Sequence, residues 1–215
     1  MRKLVKILFT GFVLLCLCGF ALSQKKESAT EQNGWNLILV NDDYWIPENY
    51  EIDLVTLDNG KRVDSRIYPA LQEMFDDAKE DDVYMFVAEG YRTHEEQQEL
   101  MNEKVEEYQE RVLVKFVAEW YAKKWVAVPG TSEHQLGLAV DINADISKSS
   151  SQEVYNWLEK NAHEYGFIQR YPSDKTEITG ISYEPWHYRY VGEDVASEIY
   201  EEKICLEEYI EKINS

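Results

Sequence analysis

Ser-Glu-His-Gln-Leu-Gly-Leu-Ala-Val-Asp, residues 132–141, is the stretch that decides the fold of this chain, together with Glu-Pro-Trp-His at residues 184–187. From Leu138 onward the first stretch alternates apolar with small or polar residues, which predicts a strand that carries Asp141. The neighbours of this acid on the strand are apolar, and burying an unpaired carboxylate costs several kcal/mol. A bound cation would explain the acid, and hydrogen bonds from a neighbouring loop are the alternative.

The two stretches together supply three metal-ligand side chains, His134, Asp141 and His187. Two imidazoles and one carboxylate suit one catalytic zinc ion, with the fourth position left for water. Glu184, three residues before His187, is placed to take a proton from that water as a general base, and a surface ion pair is the alternative. The set indicates metal-assisted hydrolysis.

Arg92 is a further candidate, because it lies in Gly-Tyr-Arg-Thr (residues 90–93) at a predicted junction from strand to helix. Thr93 and Glu96 have the spacing of a capping box, so the helix should begin directly after Arg92. A guanidinium at this place could hold a carboxylate or stabilise a developing oxyanion, and an ordinary ion pair is the alternative. The remaining histidines, His94 and His163, lie in helical surface patterns, and we expect neither to be catalytic.

The order of the predicted elements indicates an α+β fold. Apolar residues at helical spacing predict helices over residues 66–79, 93–121 with a break near Arg111, 150–165 with a stop at Gly166, and 193–212. Strands are predicted at residues 83–88, from 138 onward, at 167–171 and at 183–191; residues 35–40 are also β-prone, and residues 44–65 are expected to be irregular. Short strands interspersed with helices favour a small central, largely antiparallel sheet that carries the site, with flanking helices.

The N-terminus has the pattern of an export signal. Basic residues at positions 2, 3 and 6 precede an apolar run at residues 7–20, and residues 21–23 are Ala-Leu-Ser. We expect cleavage after Ser23, with an uncleaved N-terminal anchor as the alternative. Residues 24–34 form a polar linker, and residues 35–215 form one domain. Cys205 is then the only cysteine of the mature chain, which excludes an internal disulfide and predicts a packed small side chain.

The chain is strongly acidic. It has 22 Lys and Arg against 41 Asp and Glu, a net charge of −19, and loss of the three basic residues of the signal lowers this to −22. Nucleic acid is therefore excluded as a partner. Anionic wall polymers and lipid head groups should repel the exported chain as a whole. We expect a monomer that meets the membrane only through an uncleaved N-terminus.

The motifs resemble the D-alanyl-D-alanine carboxypeptidase family of zinc peptidases typified by VanY, which includes L,D-carboxypeptidases. The matching pieces are residues 37–41, 66–71, 90–93 with Gln97, 129–141, 165–172 and 178–192. The resemblance implies a hedgehog/D,D-peptidase-like zinc peptidase domain, with zinc on His134, Asp141 and His187 and with Glu184 as the catalytic acid and base. It implies that Arg92 binds substrate or stabilises the tetrahedral intermediate, and that Gln97 and Ser132 contact substrate.

The substrate implied by the resemblance is the peptide stem of peptidoglycan, trimmed of its C-terminal D-Ala on the outer side of the membrane. The predicted export signal agrees with that location independently. Three alternatives remain open from the sequence. The chain could be an L,D-carboxypeptidase acting on tetrapeptide stems, a non-catalytic wall-binding module that contains zinc, or a metal-independent interaction protein anchored in the membrane.

Overall fold

The computed structural model describes residues 26–27 and 33–215. The predicted export signal at residues 1–23, with Cys16 and Cys18, lies outside these residues, as does most of the predicted linker at residues 24–34. Among the described residues, no helix has both the length and the apolar composition needed to cross a membrane.

The described part of the chain alternates helices and strands. The helices are α1 (Tyr68–Glu80), α2 (His94–Gln109), α3 (Lys115–Ala122), α4 (Ser151–Asn161), α5 (Thr176–Thr179), α6 (Glu193–Glu202) and α7 (Leu206–Ile213). Short 3-10 helices cover Trp35–Leu37, Glu133–Leu136 and Ala162–Tyr165. The strands are β1 (Lys26–Glu27), β2 (Tyr44–Trp45), β3 (Leu54–Thr56), β4 (Arg62–Asp64), β5 (Met85–Glu89), β6 (Ala139–Ala144), β7 (Phe167–Gln169) and β8 (His187–Tyr190).

A four-stranded sheet in the order β5-β6-β8-β7 carries both decisive sequence stretches. Every pair of neighbouring strands in it is antiparallel. The register places Asp141 of β6 opposite Glu89 on one side and opposite His187 on the other. The predicted α+β fold with a small antiparallel sheet is therefore confirmed.

One face of this sheet packs against α1 and α4 to form the main hydrophobic core. On β6, Val140, Ile142 and Ala144 are buried in that core, so the intervening Asp141 points to the opposite face. Helices α2 and α3 instead pack on each other through a separate buried cluster. Its members are Met101, Val105, Ala118, Ala122 and Val126. We call residues 94–122 the helical hairpin, and the predicted break near Arg111 is its turn.

Two predictions for the first third of the chain are wrong. Residues 35–40 do not form a strand: a 3-10 helix covers Trp35–Leu37, and the carbonyls of Asn36 and Ile38 accept hydrogen bonds of 3.0 and 2.9 Å from the Arg189 guanidinium. A buried cation thus occupies backbone acceptors that a sheet would otherwise use. Residues 44–65 are not wholly irregular, because β3 and β4 form an antiparallel hairpin.

The single C-terminal helix predicted over residues 193–212 is also wrong. The structure has two helices, α6 and α7, separated at Lys203, whose φ is 55°. This left-handed conformation ends α6, and Cys205 begins α7, with Glu208 accepting a 2.8 Å hydrogen bond from the Cys205 amide. Cys205 is buried, as predicted.

Gly90, directly after β5, packs against the backbone of β4 at Arg62. The amide of the next residue, Tyr91, donates to the Arg62 carbonyl at 2.6 Å. A Cβ on Gly90 would lie 2.2 Å from that same carbonyl oxygen, so only glycine fits between the two strands.

We expect Gly90→Ala to lower Tm by roughly 5–10 °C, because the backbone of β4 or β5 must move to accept the methyl group. Thermal unfolding followed by circular dichroism measures this. Gly60→Ala is the comparison for backbone strain without steric overlap: its φ of +84° disfavours a side chain, but a Cβ there would meet nothing within 4 Å, so its Tm should fall less. Equal shifts in the two variants would contradict the steric explanation.

Candidate active site

His134 is held in place by a sharp turn before β6. It lies in the 3-10 helix Glu133–Leu136, which Gly137 ends in the left-handed conformation at φ 69°. Its Nδ1 lies 2.7 Å from the Gly90 carbonyl, and this bond fixes Nδ1 as the protonated nitrogen. The other ring nitrogen, Nε2, then faces Asp141 Oδ1 at 3.3 Å with its lone pair free. Burial and the charge of Arg92 lower the pKa of His134, which favours the neutral ring.

His187 faces the same carboxylate oxygen from β8. Its Nδ1 lies 3.1 Å from Asp141 Oδ1, and its Nε2 lies 3.4 Å from Glu133 Oε2. Burial alone would lower the pKa of His187, but the neighbouring carboxylates of Asp141 and Glu133 raise that pKa to about 9. The two carboxylates therefore favour a positive charge at this ring.

The three predicted ligands come together, with one donor atom of each lying within 4.8 Å of the others. Asp141 Oδ1 is buried and has no hydrogen-bond partner, although two imidazole nitrogens face it. A metal ion bound between His134 Nε2, Asp141 Oδ1 and His187 Nδ1 would satisfy this oxygen. The residues present therefore fit a cation with nitrogen and oxygen ligands.

Glu184 lies beside this cluster and not on the surface. Its Oε2 is 3.8 Å from His187 Nδ1, and the residue is 7% exposed. Burial raises the pKa of Glu184 to about 7, a shift that the charge of His187 opposes and that of Asp141 assists. A carboxyl group with a pKa near neutrality is suited to accept and return a proton. The alternative of a surface ion pair does not fit this burial.

Arg92 also reaches the cluster, directly before α2. Its Nη2 lies 3.2 Å from Asp141 Oδ2 and its Nη1 lies 3.2 Å from Gln97 Oε1. Thr93 and Glu96 form the predicted capping box behind it, so the guanidinium projects from a rigid helix start. The ion pair with Asp141 does not exclude a substrate role, because the pair lies within the site.

Gln97 and Ser132 are both buried near the cluster, at 1% and 3% exposure. Gln97 uses both ends of its amide: Oε1 accepts from Arg92, and Nε2 donates to the Ala127 carbonyl at 2.8 Å. It therefore orients Arg92 and ties α2 to the loop after α3. Ser132 precedes the 3-10 helix that carries His134.

The sequence interpretation missed a buried charge network behind His187. Glu133 accepts 2.7 and 2.9 Å hydrogen bonds from Arg170 and Arg189, and Arg170 also binds Glu207 at 2.6 Å. Burial alone would raise the pKa of Glu133, but the two guanidinium groups hold it well below its usual range. Glu133 is thus a permanent carboxylate that orients the His187 ring through Nε2. The one feature of the sequence that could have indicated this role is that Glu133 directly precedes His134.

All predicted site residues line one cavity of about 310 Å³. Its wall includes Arg92, Gln97, Ser132, His134, Asp141, Glu184 and His187, with Leu100, Lys104, Trp125 and Trp186 among the others. A larger cavity of about 750 Å³ lies between α4, α6 and β7 and contains none of the predicted residues. We identify the smaller cavity as the site, because the reactive groups converge there. Neither His94 nor His163 lines the smaller cavity.

Comparison with known families gives a match over most of the described domain. The family model VanY, described as D-alanyl-D-alanine carboxypeptidase, matches residues 60–193. A D-alanyl-D-alanine carboxypeptidase of Enterococcus faecalis (strain ATCC 700802 / V583) is 57% identical over 189 residues, covering 88% of this chain and 70% of that protein.

Solved structures agree with this match. VanYB in complex with D-alanine-D-alanine is 58% identical, with a TM-score of 0.81 over 82% of this chain and 98% of that one. A mutant of the vancomycin resistance D,D-pentapeptidase VanY in complex with Zn(II) is 58% identical, with a TM-score of 0.80 over 82% of this chain and 99% of that one. The LD-carboxypeptidase LdcB is 37% identical, with a TM-score of 0.70 over 84% of this chain and 88% of that one.

We expect Asp141→Asn to bind zinc much more weakly than the unmodified chain, because the neutral amide replaces the charged ligand oxygen. Adding zinc to metal-free protein should raise the Tm of the parent, because zinc at a free concentration 1,000-fold above Kd stabilises the folded state by about 4 kcal/mol. The Tm of the variant should rise much less. Asp145→Asn, which changes a half-buried acid just beyond β6 that is not among the three ligands, is the matched control. An equal zinc response in Asp141→Asn and the parent would remove Asp141 from the ligand set.

Proposed function

The chain belongs to the VanY family of D-alanyl-D-alanine carboxypeptidases, and on that premise we propose that it is a zinc-dependent carboxypeptidase that removes the C-terminal D-Ala from peptidoglycan stem peptides. The observation that carries this proposal is the convergence of His134, Asp141 and His187 on one point, with Glu184 beside them in the same cavity. A single zinc ion held by these three side chains would lower the pKa of a water molecule and polarise the scissile carbonyl.

Glu184 is the group that moves protons. Its carboxylate takes a proton from the attacking water and returns it to the nitrogen of the departing D-Ala, so the amine leaves in neutral form. The hydrogen bond from the Glu184 amide to the Tyr171 carbonyl, at 3.2 Å, fixes the backbone that carries this carboxylate. Pro185 follows directly and stiffens the link to His187.

Arg92 supplies positive charge on the substrate side of the cavity. It binds the C-terminal carboxylate of the stem or stabilises the oxyanion of the tetrahedral intermediate. Its bonds to Gln97 and Asp141 hold the guanidinium in one orientation before substrate arrives, so little ordering remains to be done on binding. We assign a substrate-contacting role to Ser132 in the cavity wall. Gln97 lines the same cavity, and we assign it to substrate binding chiefly because it holds Arg92 in place.

The domain layout that we propose places the enzyme on the side of the membrane where its substrate lies. Residues 1–23 act as an export signal or an N-terminal anchor, residues 24–34 are the linker, and residues 35–215 are the catalytic domain, which works as a monomer on the cell-wall side of the membrane. The apolar run at residues 7–20 with its basic flank supports this layout. Peptidoglycan stems lie on this outer side of the membrane, so an exported domain can reach them.

An L,D-carboxypeptidase is the second candidate, supported by the likeness to LdcB. The two activities differ in the chirality of the residue before the scissile bond. Tyr171 and Ile181, which flank the segment at residues 173–180 that contains α5, line the cavity, and we assign the discrimination to this part of the wall. The D-alanyl-D-alanine carboxypeptidase of Enterococcus faecalis and VanYB, at 57% and 58% identity, share more of their sequence with this chain than LdcB does at 37%, which favours D,D-activity.

Digestion of defined stem peptides tests the reaction. We expect a pentapeptide ending in D-Ala-D-Ala to lose one D-Ala, a tetrapeptide to be cut much more slowly, and a chelator to stop both reactions until zinc is restored. Mass spectrometry of the products measures this. Faster cleavage of the tetrapeptide would favour the L,D-activity, and release of internal fragments alone would indicate an endopeptidase.

Glu184→Ala separates an enzyme from a zinc-containing binding module. We expect this variant to keep its zinc, because Glu184 is not among the three ligands, and to lose activity by a factor of about 10²–10⁴. Zinc content by elemental analysis and kcat on the pentapeptide are the two measurements. Glu99→Ala, which removes an exposed carboxylate on α2, should leave both unchanged. Full activity in Glu184→Ala would overturn the assignment of the base.

A further inference from the structure

Glu133 divides its two carboxylate oxygens between different partners. Oε1 accepts both arginine hydrogen bonds, at 2.7 Å from Arg170 Nε and at 2.9 Å from Arg189 Nη1. Among the described residues, Oε2 has one partner, Nε2 of His187 at 3.4 Å. Guanidinium groups prefer to bind a carboxylate through two parallel N–H donors, one to each oxygen. Other contacts must therefore keep the two arginines from occupying Oε2.

Arg189 is restrained by backbone carbonyls. Its Nη2 donates to the carbonyls of Asn36 and Ile38, at 3.0 and 2.9 Å, and its Nε donates to the Tyr190 carbonyl at 3.0 Å. Nη1 is the nitrogen that remains for Glu133. This guanidinium cannot turn two donors towards Glu133 without losing bonds to the backbone.

Arg170 is restrained by a carboxylate of the C-terminal helix. Glu207, in the first turn of α7, accepts hydrogen bonds of 2.8 Å from Nη1 and 2.6 Å from Nη2, a bidentate pair that uses both terminal nitrogens. Nε is then the nitrogen that binds Glu133. The Arg170 side chain is fully buried and that of Glu207 is 13% exposed, so salt and water screen this pair little.

We propose that Glu207 is a positioning residue for the metal centre. It holds the terminal nitrogens of Arg170 and so leaves Oε2 of Glu133 free for His187. The inference rests on the proposed zinc site, in which the contact of Nε2 with Glu133 leaves Nδ1 of His187 to face the ion. Partners that orient a ligand histidine in this way account for about 10–100-fold in metal affinity.

The charge balance of the network gives the direction of the effect. Two arginines, Arg170 and Arg189, face two glutamates, Glu133 and Glu207. Neutralising Glu207 would leave two buried cations with one anion and would deprive Arg170 of its bidentate partner. A buried charge without a partner is strongly unfavourable, so Arg170 would bind both oxygens of Glu133 at the expense of His187.

Glu207→Gln tests this, because the amide keeps the size of the side chain and removes its charge. We expect the zinc Kd, measured on metal-free protein by competition with a chromogenic chelator, to rise about 10-fold. The visible absorption of the Co(II)-loaded protein, which reports ligand geometry, should also change. Glu208→Gln is the matched control, since this next carboxylate of α7 binds Lys175 at 2.9 Å, outside the network, and both measurements should stay at the parent values.

A double variant separates positioning from a purely structural role. Arg170→Gln with Glu207→Gln removes the competing guanidinium together with its partner and leaves Arg189 paired with Glu133. We expect this variant to bind zinc more tightly than Glu207→Gln alone. A structural role predicts the opposite order, because the double variant loses more of the bonds that hold α7 to the domain.

Equal zinc affinity in Glu207→Gln and the parent, or a double variant that binds zinc no better than the single one, would overturn the proposal. If Glu207→Gln does not fold, Glu207→Asp replaces it. The shorter side chain keeps the charge but draws the carboxylate back by one methylene, so a smaller loss of zinc affinity is expected, and no loss would count against the role. A parent chain that binds no zinc would instead overturn the proposed zinc site, and this inference with it.

Discussion

The register between β6 and β8 is the constraint on which the site depends. It sets Asp141 directly opposite His187, on the sheet face that points away from the main core. Because side chains alternate along a strand, a shift of one residue would turn the carboxylate into the hydrophobic core and the apolar residues out of it. The burial of Val140 and Ile142 therefore keeps β6 in the register that places the Asp141 carboxylate in the site.

The third proposed ligand, His134, is positioned in a different way. His134 reaches the carboxylate from a 3-10 helix, and its ring is set by a hydrogen bond to the carbonyl of Gly90, at the end of the neighbouring strand. Gly90 can sit there only because it lacks a side chain, so one residue serves both strand packing and ring orientation. Behind His187, Glu133 is satisfied by two arginines and performs the same orienting task for the second imidazole. Protein groups thus orient both imidazoles, which lowers the reorganisation that catalysis requires.

Much of this could be predicted from sequence, since the ligands lie in two short motifs and the strands and most helices follow their apolar periodicity. The failures have a common physical origin in long-range contacts. Residues 35–40 have strand composition, yet their carbonyls bind Arg189, a partner more than 150 positions away. The end of α6 falls at Lys203, a residue type that gives no signal for a left-handed conformation. Glu133 lies beside His134 in the sequence, but its role depends on Arg170 and Arg189, and no local pattern joins these three residues.

The helical hairpin has a consequence for how such an enzyme can change over time. The hairpin has a small hydrophobic core that is separate from the core under the sheet. One wall of the cavity nevertheless comes from residues on or next to the hairpin, namely Gln97, Leu100, Lys104 and Trp125. The three proposed metal ligands lie opposite, on β6, on β8 and on the 3-10 helix directly before β6. Substitutions, or a change of length at the hairpin turn, can therefore reshape the substrate wall while the ligand register is left intact. Selection can act on the two halves of the cavity almost independently, so a family with one chemistry can diversify in the stem peptides that it accepts.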